Sequence, residues 1–158
     1  MNIHWHCKNF NALTPHELYE IIRLRNEVFV VEQNCVFQDA DNKDQECFHL
    51  MGWVNGALAA YTRLAPPGYI YAEASIGRVV TSPAFRKKGI GYELMKKSIE
   101  ECKKIFGSGA IKIGAQFYLK DFYASFGFKQ ISDIYLEDGI EHIYMLLTGS
   151  GALKTLDT

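Results

Sequence analysis

The most constraining feature of this sequence is a unit spanning residues 74–116, in which two short apolar segments flank a long amphipathic one. Residues 74–81 are rich in β-branched side chains, which predicts a strand. Gly89 opens a helical pattern that continues to about Phe106, and residues 111–116 form the second strand-like segment. Two strands joined by a helix normally pair in parallel, with a right-handed crossover. The unit therefore predicts a sheet that is partly parallel.

The segments outside this unit are typical of antiparallel strands. Residues 2–8 alternate apolar and polar side chains, which indicates a half-buried strand. Asn-Gly and Asp-Gly pairs tolerate the positive φ angles of tight turns, so each predicts a hairpin. The two predicted hairpins are residues 48–54 with 57–64 around Asn55-Gly56, and residues 128–135 with 140–148 around Asp138-Gly139.

Two further segments predict helices. Thr14 can cap the free amides of a helix start, and Glu17 completes a capping box. Pro15 suits the first helical position, and helical spacing of apolar residues continues to about Val30. A second, short helix is predicted over residues 119–126.

Taken together, these segments predict the order β-α-β-β-β-α-β-α-β-β. This series predicts an α+β fold, with a mixed, mostly antiparallel sheet flanked by helices. We expect one domain over residues 1–148, because a chain of 158 residues can bury a sizeable core without disulfides or metals. Residues 149–158 are small and polar and are expected to form a frayed tail.

Composition and charge exclude several functional classes. A net charge of −1 argues against a broad phosphate-binding surface for DNA or RNA. No apolar run approaches the roughly 20 residues of a membrane helix, and the N-terminus lacks the pattern of a signal peptide. We therefore predict a soluble cytoplasmic protein that binds neither nucleic acid nor membrane.

The cysteines do not predict a metal site. The four cysteines form no Cys-x-x-Cys pair, and a grouping of Cys35 and Cys47 with His49 matches no standard zinc spacing. In a reducing compartment the cysteines are interpreted as small, mostly buried thiols.

The sharpest local signal for a ligand is the sequence Arg86-Lys87-Lys88-Gly89-Ile90-Gly91-Tyr92. It lies between a predicted strand and the start of a long helix, where unpaired amides and the helix dipole favour an anion. The glycines let the backbone approach a ligand closely, and three cations precede them. This arrangement predicts a phosphate or pyrophosphate site. The alternative is a helix that begins with glycine after solvated lysines.

Residues 79–91, from Val79 through Pro83 to Gly91, resemble the central motif of the GNAT superfamily of N-acetyltransferases, Arg/Gln-x-x-Gly-x-Gly/Ala after a strand. Residues 122–128 resemble the later Tyr-x-x-x-Gly-Phe motif of that superfamily. Further matches resemble its ElaA-like subgroup; they lie at residues 25–33, 77–80, 114–116 and 138–142. The resemblance implies a GNAT fold and an acetyl-CoA-dependent acetyltransferase.

The resemblance also implies where the cofactor binds. The backbone of Val79, Val80 and Thr81 would pair with the pantetheine arm like an added strand. Amides between Lys87 and Tyr92 would hold the pyrophosphate, with Arg86 adding charge. The implied cofactor site consists of Val79, Val80, Thr81, Arg86, Lys87, Lys88, Gly89, Ile90, Gly91 and Tyr92, together with Gln116, which stands where the family often has a polar residue.

Catalytic roles are implied for fewer residues. Tyr123 stands where the family has a tyrosine near the cofactor's sulfur, and its hydroxyl could protonate the departing thiolate as a general acid. Its alternative role is core packing with a surface hydroxyl. Some relatives place a glutamate on the strand of residues 111–116, but no carboxylate is present there. Candidate general bases are therefore Glu32, His49 and His142, with deprotonation through water as an equal alternative.

The acceptor and the assembly are less constrained. The acidic stretch from Asp39 to Glu46 is interpreted as a solvated loop, and with Glu32 it slightly favours a basic acceptor. The predicted reaction is acetyl transfer to a primary amine of a small molecule or a peptide. The alternatives are an acyl-CoA-binding sensor or interaction module without turnover, and a transferase for longer acyl chains. A homodimer is possible from the resemblance.

Overall fold

The computed structural model describes residues 2–149, and the predicted tail lies almost wholly outside these residues. The described chain forms a single eight-stranded sheet with helices on both faces. Its helices are α1 (Pro15–Arg25), α2 (Ile90–Phe106) and α3 (Lys120–Ala124). Its strands are β1 (His4–Asn9), β2 (Phe48–Val54), β3 (Ala57–Ala65), β4 (Ala74–Thr81), β5 (Ile111–Gln116), β6 (Lys129–Gln130), β7 (Tyr135–Glu137) and β8 (Ile140–Leu147).

The sheet has the order β1-β2-β3-β4-β5-β8-β6, and β7 also pairs with β8. Every pairing is antiparallel except that of β4 with β5, which are joined by α2. The predicted α+β class, with a mixed and mostly antiparallel sheet, is therefore confirmed. The parallel pair follows the predicted strand-helix-strand unit.

The parallel pairing of β4 and β5 is short. In the described chain it covers Ala74 with Ile111 and Ser75 with Lys112. Beyond these pairs β4 continues to bond to β3, through Val80 with Tyr61 and Thr81 with Ala60. In the second half of β4, the edge that faces β5 is therefore not paired with another strand of the described chain. This is the free edge of β4.

The two faces of the sheet bury different helices. Ile21 and Leu24 of α1 pack on Met51 and Tyr61, which face one side of the sheet. Leu50 and Ala60 are the neighbouring residues on β2 and β3 and face the other side, where they pack on Ile90 and Leu94 of α2. This alternation follows from the two-residue period of a strand. Among the described residues, no helix is both long and apolar enough to cross a membrane.

The first helix changes its winding where a uniform helix is predicted. The capping box at Thr14 and Glu17 is present, but α1 ends at Arg25. Residues Asn26–Glu32 continue as a π-helix, in which Gln33 N bonds to Val28 O at 3.1 Å. Such wider turns are frequent at functional sites because they shift the side chains that follow.

The predicted strand over residues 128–135 is wrong as a single element. It is divided into β6 and β7, because the Ser132 hydroxyl accepts the Tyr144 N–H at 2.8 Å and so replaces a backbone carbonyl in the ladder. The Ile131 N–H still donates to Tyr144 O at 2.9 Å. The chain therefore bulges between these two bonds, and the strand interpretation fails there.

Candidate active site

A cavity of about 780 Å³ lies between the free edge of β4 and the end of β5. It is walled by the π-helical segment on one side and by the β7–β8 hairpin on the other. Nine of the predicted functional residues line it: Glu32, Val79, Val80, Thr81, Arg86, Gly91, Gln116, Tyr123 and His142. The divergence of two parallel strands therefore gathers residues that are far apart in the sequence.

At Val80 the β4 wall presents backbone rather than a side chain. The Val80 side chain is buried against α1, so its contribution to the cavity is through main-chain groups. Arg78 has a φ of 51°, and the pairing with β3 shifts register between Tyr61 and Arg63. This irregularity bends the strand, and bent or bulged strands commonly present backbone groups to a ligand. The free edge is suited to an extended ligand that bonds to it like a strand.

The loop of residues 86–92, for which the sequence predicts anion binding, lies at one end of the cavity and lines it through Arg86 and Gly91. Gly89 has a φ of 74° and precedes the first turn of the 17-residue helix α2. A side chain at Gly89 or Gly91 would meet nothing within 4 Å, so the space above this backbone is open. Free amides at a helix start, with open space above them, fit a phosphate group.

The other residues of the loop are placed differently. Lys87 and Lys88 are exposed and do not line the cavity. The Ile90 side chain is buried in the core with Leu94, so its backbone alone is available to a ligand. Tyr92 points outward, with its ring 4.9 Å from that of Phe126.

Arg86 and Glu32 form a two-pronged ion pair at this end of the cavity. Arg86 Nη1 donates to Glu32 Oε2 at 2.8 Å, and Nη2 donates to Glu32 Oε1 at 2.7 Å. The hydrogen bond from Arg86 lowers the pKa of Glu32, and the same bond raises the pKa of Arg86. A carboxylate held in this way is a weaker base than a free one.

Gln116 meets a residue to which the sequence assigns no individual role. Its amide and that of Gln33 exchange two long hydrogen bonds of 3.4 and 3.5 Å. This contact joins the end of the π-helical segment to the end of β5, across the cavity. Gln33 lies inside the first-helix motif, but its partner is 83 residues away, so only the fold reveals the contact.

Tyr123 lies in the wall of the cavity next to the core. Its side chain is almost fully buried and packs edge-on against Phe122 and Phe128. Burial raises the pKa of Tyr123 well above its ordinary value. The hydroxyl therefore stays protonated at neutral pH and can serve as a proton donor.

His142 lies in the opposite wall, directly across from Gln116 in the β5–β8 ladder. Its Nδ1 is 2.7 Å from Ile140 O, and since a carbonyl only accepts, Nδ1 must carry the hydrogen. In the neutral ring Nε2 then keeps its lone pair. Nε2 is 3.5 Å from Glu137 Oε2, which can stabilise the ring once it is protonated.

His49, the third candidate base, lies outside the cavity. It is buried, with Nδ1 2.7 Å from the Tyr61 hydroxyl and Nε2 2.9 Å from Asp44 O. Burial lowers the pKa of His49. Both ring nitrogens are occupied within the core, so this residue has a structural role.

The acidic stretch from Asp39 is not the predicted solvated loop. Asp39 and Asp44 are buried, and Arg25 Nε and Nη1 bond to them at 2.8 Å each. Arg63 bonds to Asp41 and Asp44 at distances from 2.8 to 3.1 Å. The prediction is wrong because three arginines from other elements, Arg25, Arg63 and Arg78, neutralise these carboxylates.

Arg78 completes this Arg–Asp network at the wall of the cavity. Its Nε forms an ion pair with Asp39 Oδ1 at 2.7 Å. Its Nη2 reaches Asp39 O at 3.0 Å. The network therefore fixes β4 at Arg78, where the strand is irregular, to the acidic loop that begins at Asp39. Arg25 and Arg63 each stand among the apolar residues of a predicted helix or strand. A charged side chain in such a position is the signal in the sequence that could have indicated the network.

Metal ligands are not grouped in the described part of the chain. Among residues 2–149, no three His, Cys, Asp or Glu side chains stand close enough together to hold a metal ion. Cys35 and Cys47 bond instead to separate backbone carbonyls, those of Asp138 and Lys43.

Comparison with known proteins gives one consistent family. The family model for the acetyltransferase (GNAT) domain matches residues 14–148. Protein ElaA of Escherichia coli is 40% identical over 145 residues, which cover 90% of this chain and 95% of that protein. The crystal structure of E. coli ElaA superposes with a TM-score of 0.87 at 38% identity, and the match covers 92% of this chain and 99% of that one.

Two further solved structures extend the comparison. An acyl-CoA N-acyltransferase from Pseudomonas aeruginosa has a TM-score of 0.89 at 39% identity, covering 93% of this chain and all of that chain (100%). A GNAT family acetyltransferase from Elizabethkingia anophelis with acetyl-CoA bound has a TM-score of 0.61 at 17% identity, covering 93% of this chain and 98% of that one. The second likeness is one of fold alone.

Proposed function

Because this chain belongs to the GNAT acetyltransferase family, in its ElaA-like subgroup, we propose that it moves an acetyl group from acetyl-CoA to a primary amine. The observation that carries this proposal is the single cavity shared by the anion-binding loop, the free edge of β4, and the side chains of Tyr123 and His142. The loop and the free edge of β4 would bind the diphosphate and the pantetheine arm of an acyl-CoA. Tyr123 and His142 would serve the proton transfers that amine acetylation requires.

Binding of the cofactor is assigned to backbone and charge. The amides of residues 87–92, with the charge of Arg86, hold the diphosphate. The free edge of β4 at Val79, Val80 and Thr81 pairs with the amide groups of the pantetheine arm. Gln116 lies on the other side of the cavity and is proposed as a polar contact to the same arm.

The chain's own residues handle the protons. The bound thioester supplies the acetyl group and a thiolate leaving group. His142 Nε2 is proposed to accept the proton that the acceptor ammonium must lose, because an ordinary alkylamine is mostly protonated at neutral pH. The amine nitrogen then bonds to the acetyl carbon and the C–S bond breaks. Tyr123 donates its proton to the sulfur, and the tyrosinate so formed regains a proton from the new amide nitrogen, which leaves a neutral amide and the free thiol of CoA. A backbone N–H near Val80 faces the carbonyl oxygen as it gains charge.

The acceptor is proposed to be a cationic amine of a small molecule or a peptide. Glu137 and Asp138 lie at the acceptor end of the cavity, and within the described residues neither is bridged by a lysine or arginine. Asp41 also lines the cavity, but Arg63 and Arg78 neutralise it. The uncompensated charge at the acceptor end of the cavity is therefore negative, which favours a positively charged acceptor.

Release of free thiol from acetyl-CoA tests this proposal. Polyamines, amino acids, arylamines and lysine-bearing peptides are compared with wild type, Tyr123→Phe and the control Tyr19→Phe, which changes an exposed tyrosine on α1. Release that depends on one amine class and falls in Tyr123→Phe alone supports the enzyme. CoA binding without release for any amine favours the acyl-CoA-binding module. Faster release from longer acyl-CoA donors would favour the broader acyltransferase instead.

A further inference from the structure

The pair formed by Arg86 and Glu32 joins two functional parts of the molecule. Arg86 follows β4 and carries the charge assigned to the diphosphate, whereas Glu32 ends the π-helical segment. Both side chains line the cavity, and both nitrogens of the arginine fork bond to the two carboxylate oxygens. Arg86 Nη2 also donates to Thr81 O at 3.3 Å, which keeps the guanidinium at the end of β4.

A guanidinium binds a carboxylate and a phosphate in the same geometry. Its planar fork presents two parallel N–H groups, which match two oxygens of either anion. Glu32 therefore occupies the face of Arg86 that a phosphate group would use. The same face cannot serve both anions at once.

We infer that Glu32 is an internal competitor for the cofactor's diphosphate, holding Arg86 in the free protein until the diphosphate displaces it. This inference rests on the proposed function, since it requires a diphosphate at the loop of residues 86–91. No covalent bond changes, because one anion replaces another on the guanidinium. The displaced carboxylate remains in the wall of the cavity, at the end of the π-helical segment and next to Gln33.

The size of the effect follows from the exposure of the pair. The side chains of Arg86 and Glu32 are 37% and 42% exposed, so solvent screens their attraction. Exposed pairs typically change an equilibrium constant by roughly 1.5- to 5-fold. Because this pair is two-pronged, removing the charge of Glu32 should tighten CoA binding by an amount in the upper part of that range, about two- to fivefold.

Calorimetric titration of CoA into wild type, Glu32→Gln and Glu27→Gln tests the inference. Glu27 is an exposed carboxylate on the same π-helical segment that acts on Arg86 through charge alone, which makes it the matched control. Glu32→Gln should bind CoA at least twofold more tightly than Glu27→Gln. The same order is expected for inorganic diphosphate, a probe that needs no acetyl transfer.

Repeating the titration with Arg86→Gln, alone and combined with Glu32→Gln, makes the test specific. There Glu32→Gln should have no further effect, because the side chain for which the two anions compete is gone. An undiminished effect would overturn the inference. Equal CoA affinities for Glu32→Gln and Glu27→Gln would also overturn it, while leaving the proposed function intact. Failure of all variants and wild type to bind CoA would overturn both.

Discussion

His142 Nδ1 lies 2.7 Å from the carbonyl oxygen of Ile140, two residues earlier in the same strand. This bond holds the ring so that Nε2, with its lone pair, lies beside Glu137 at the end of the cavity that we propose for the acceptor. A backbone carbonyl thus sets the tautomer of the proposed base. The strand that precedes the turn supplies Glu137, and the strand that follows it supplies both the carbonyl and the histidine.

His142→Gln should lower kcat by about 100-fold, in the range of general-base catalysis. A glutamine side chain cannot take the proton of the amine, and steady-state thiol release at saturating acetyl-CoA measures the loss. His49→Gln is not a suitable control, since His49 is bonded within the core. His6→Gln, an exposed change on β1, should leave kcat unchanged.

Tyr123→Phe should lower kcat by roughly 10- to 100-fold and leave CoA affinity within about twofold. The ring still packs against Phe122 and Phe128, so the loss reports the hydroxyl. Because burial raises the pKa of Tyr123, the donor stays protonated through mildly alkaline pH, and no loss of rate from this group is expected there. Stopped-flow or steady-state thiol release measures the rate. An unchanged kcat would assign Tyr123 to packing alone.

Asp44→Asn should destabilise the protein by about 3–5 kcal/mol. The substitution removes the carboxylate shared by Arg25 and Arg63, each at 2.8–3.0 Å, and leaves two buried cations poorly compensated. Urea unfolding followed by circular dichroism measures the loss. Asp133→Asn, an exposed change between β6 and β7, should shift stability by less than about 0.5 kcal/mol.

Stability should fall in acid as Asp41 of the Arg–Asp network is protonated. Burial would raise the pKa of Asp41, but the hydrogen bonds and charges of Arg63 and Arg78 outweigh it and lower the pKa to about 2. Since the folded pKa is depressed, the stabilisation is fully present above the unfolded value of about 4 and is lost as pH falls toward 2. Unfolding free energies between pH 5 and pH 2 check this. Asp41→Asn should flatten the slope in that window.

Gly52→Ala should destabilise the protein by about 1–3 kcal/mol through a clash on β2. Gly52 is paired with Trp5 across the first two strands, and an added Cβ would lie 2.7 Å from Trp5 Cζ3. The indole must move or β1 must shift. Gly109→Ala meets nothing within 4 Å and is the control. Thermal unfolding of both variants measures the difference, and equal midpoints would show that Trp5 repacks freely.

The order of most elements and the glycine-containing turn before α2 could be predicted because both depend on neighbours in the chain. The two-residue period of Trp5 and Cys7, the capping box at Thr14 and the Gly-Ile-Gly turn are local patterns. The parallel pairing of β4 and β5 follows from the strand-helix-strand order of residues 74–116. These local patterns predict the fold class and the place of the loop before α2. They do not give the width of the cavity.

The tertiary structure alone decides how the walls of the site meet. Arg86 and Glu32 are 54 residues apart, and Gln33 and Gln116 are 83 apart. Burial of Asp39 and Asp44 reverses the interpretation of an acidic loop, because charges are buried only where partners from other elements neutralise them. Periodicity records which face of an element is buried and not which distant residue covers it. The sequence therefore determines the elements, and packing determines the site they form.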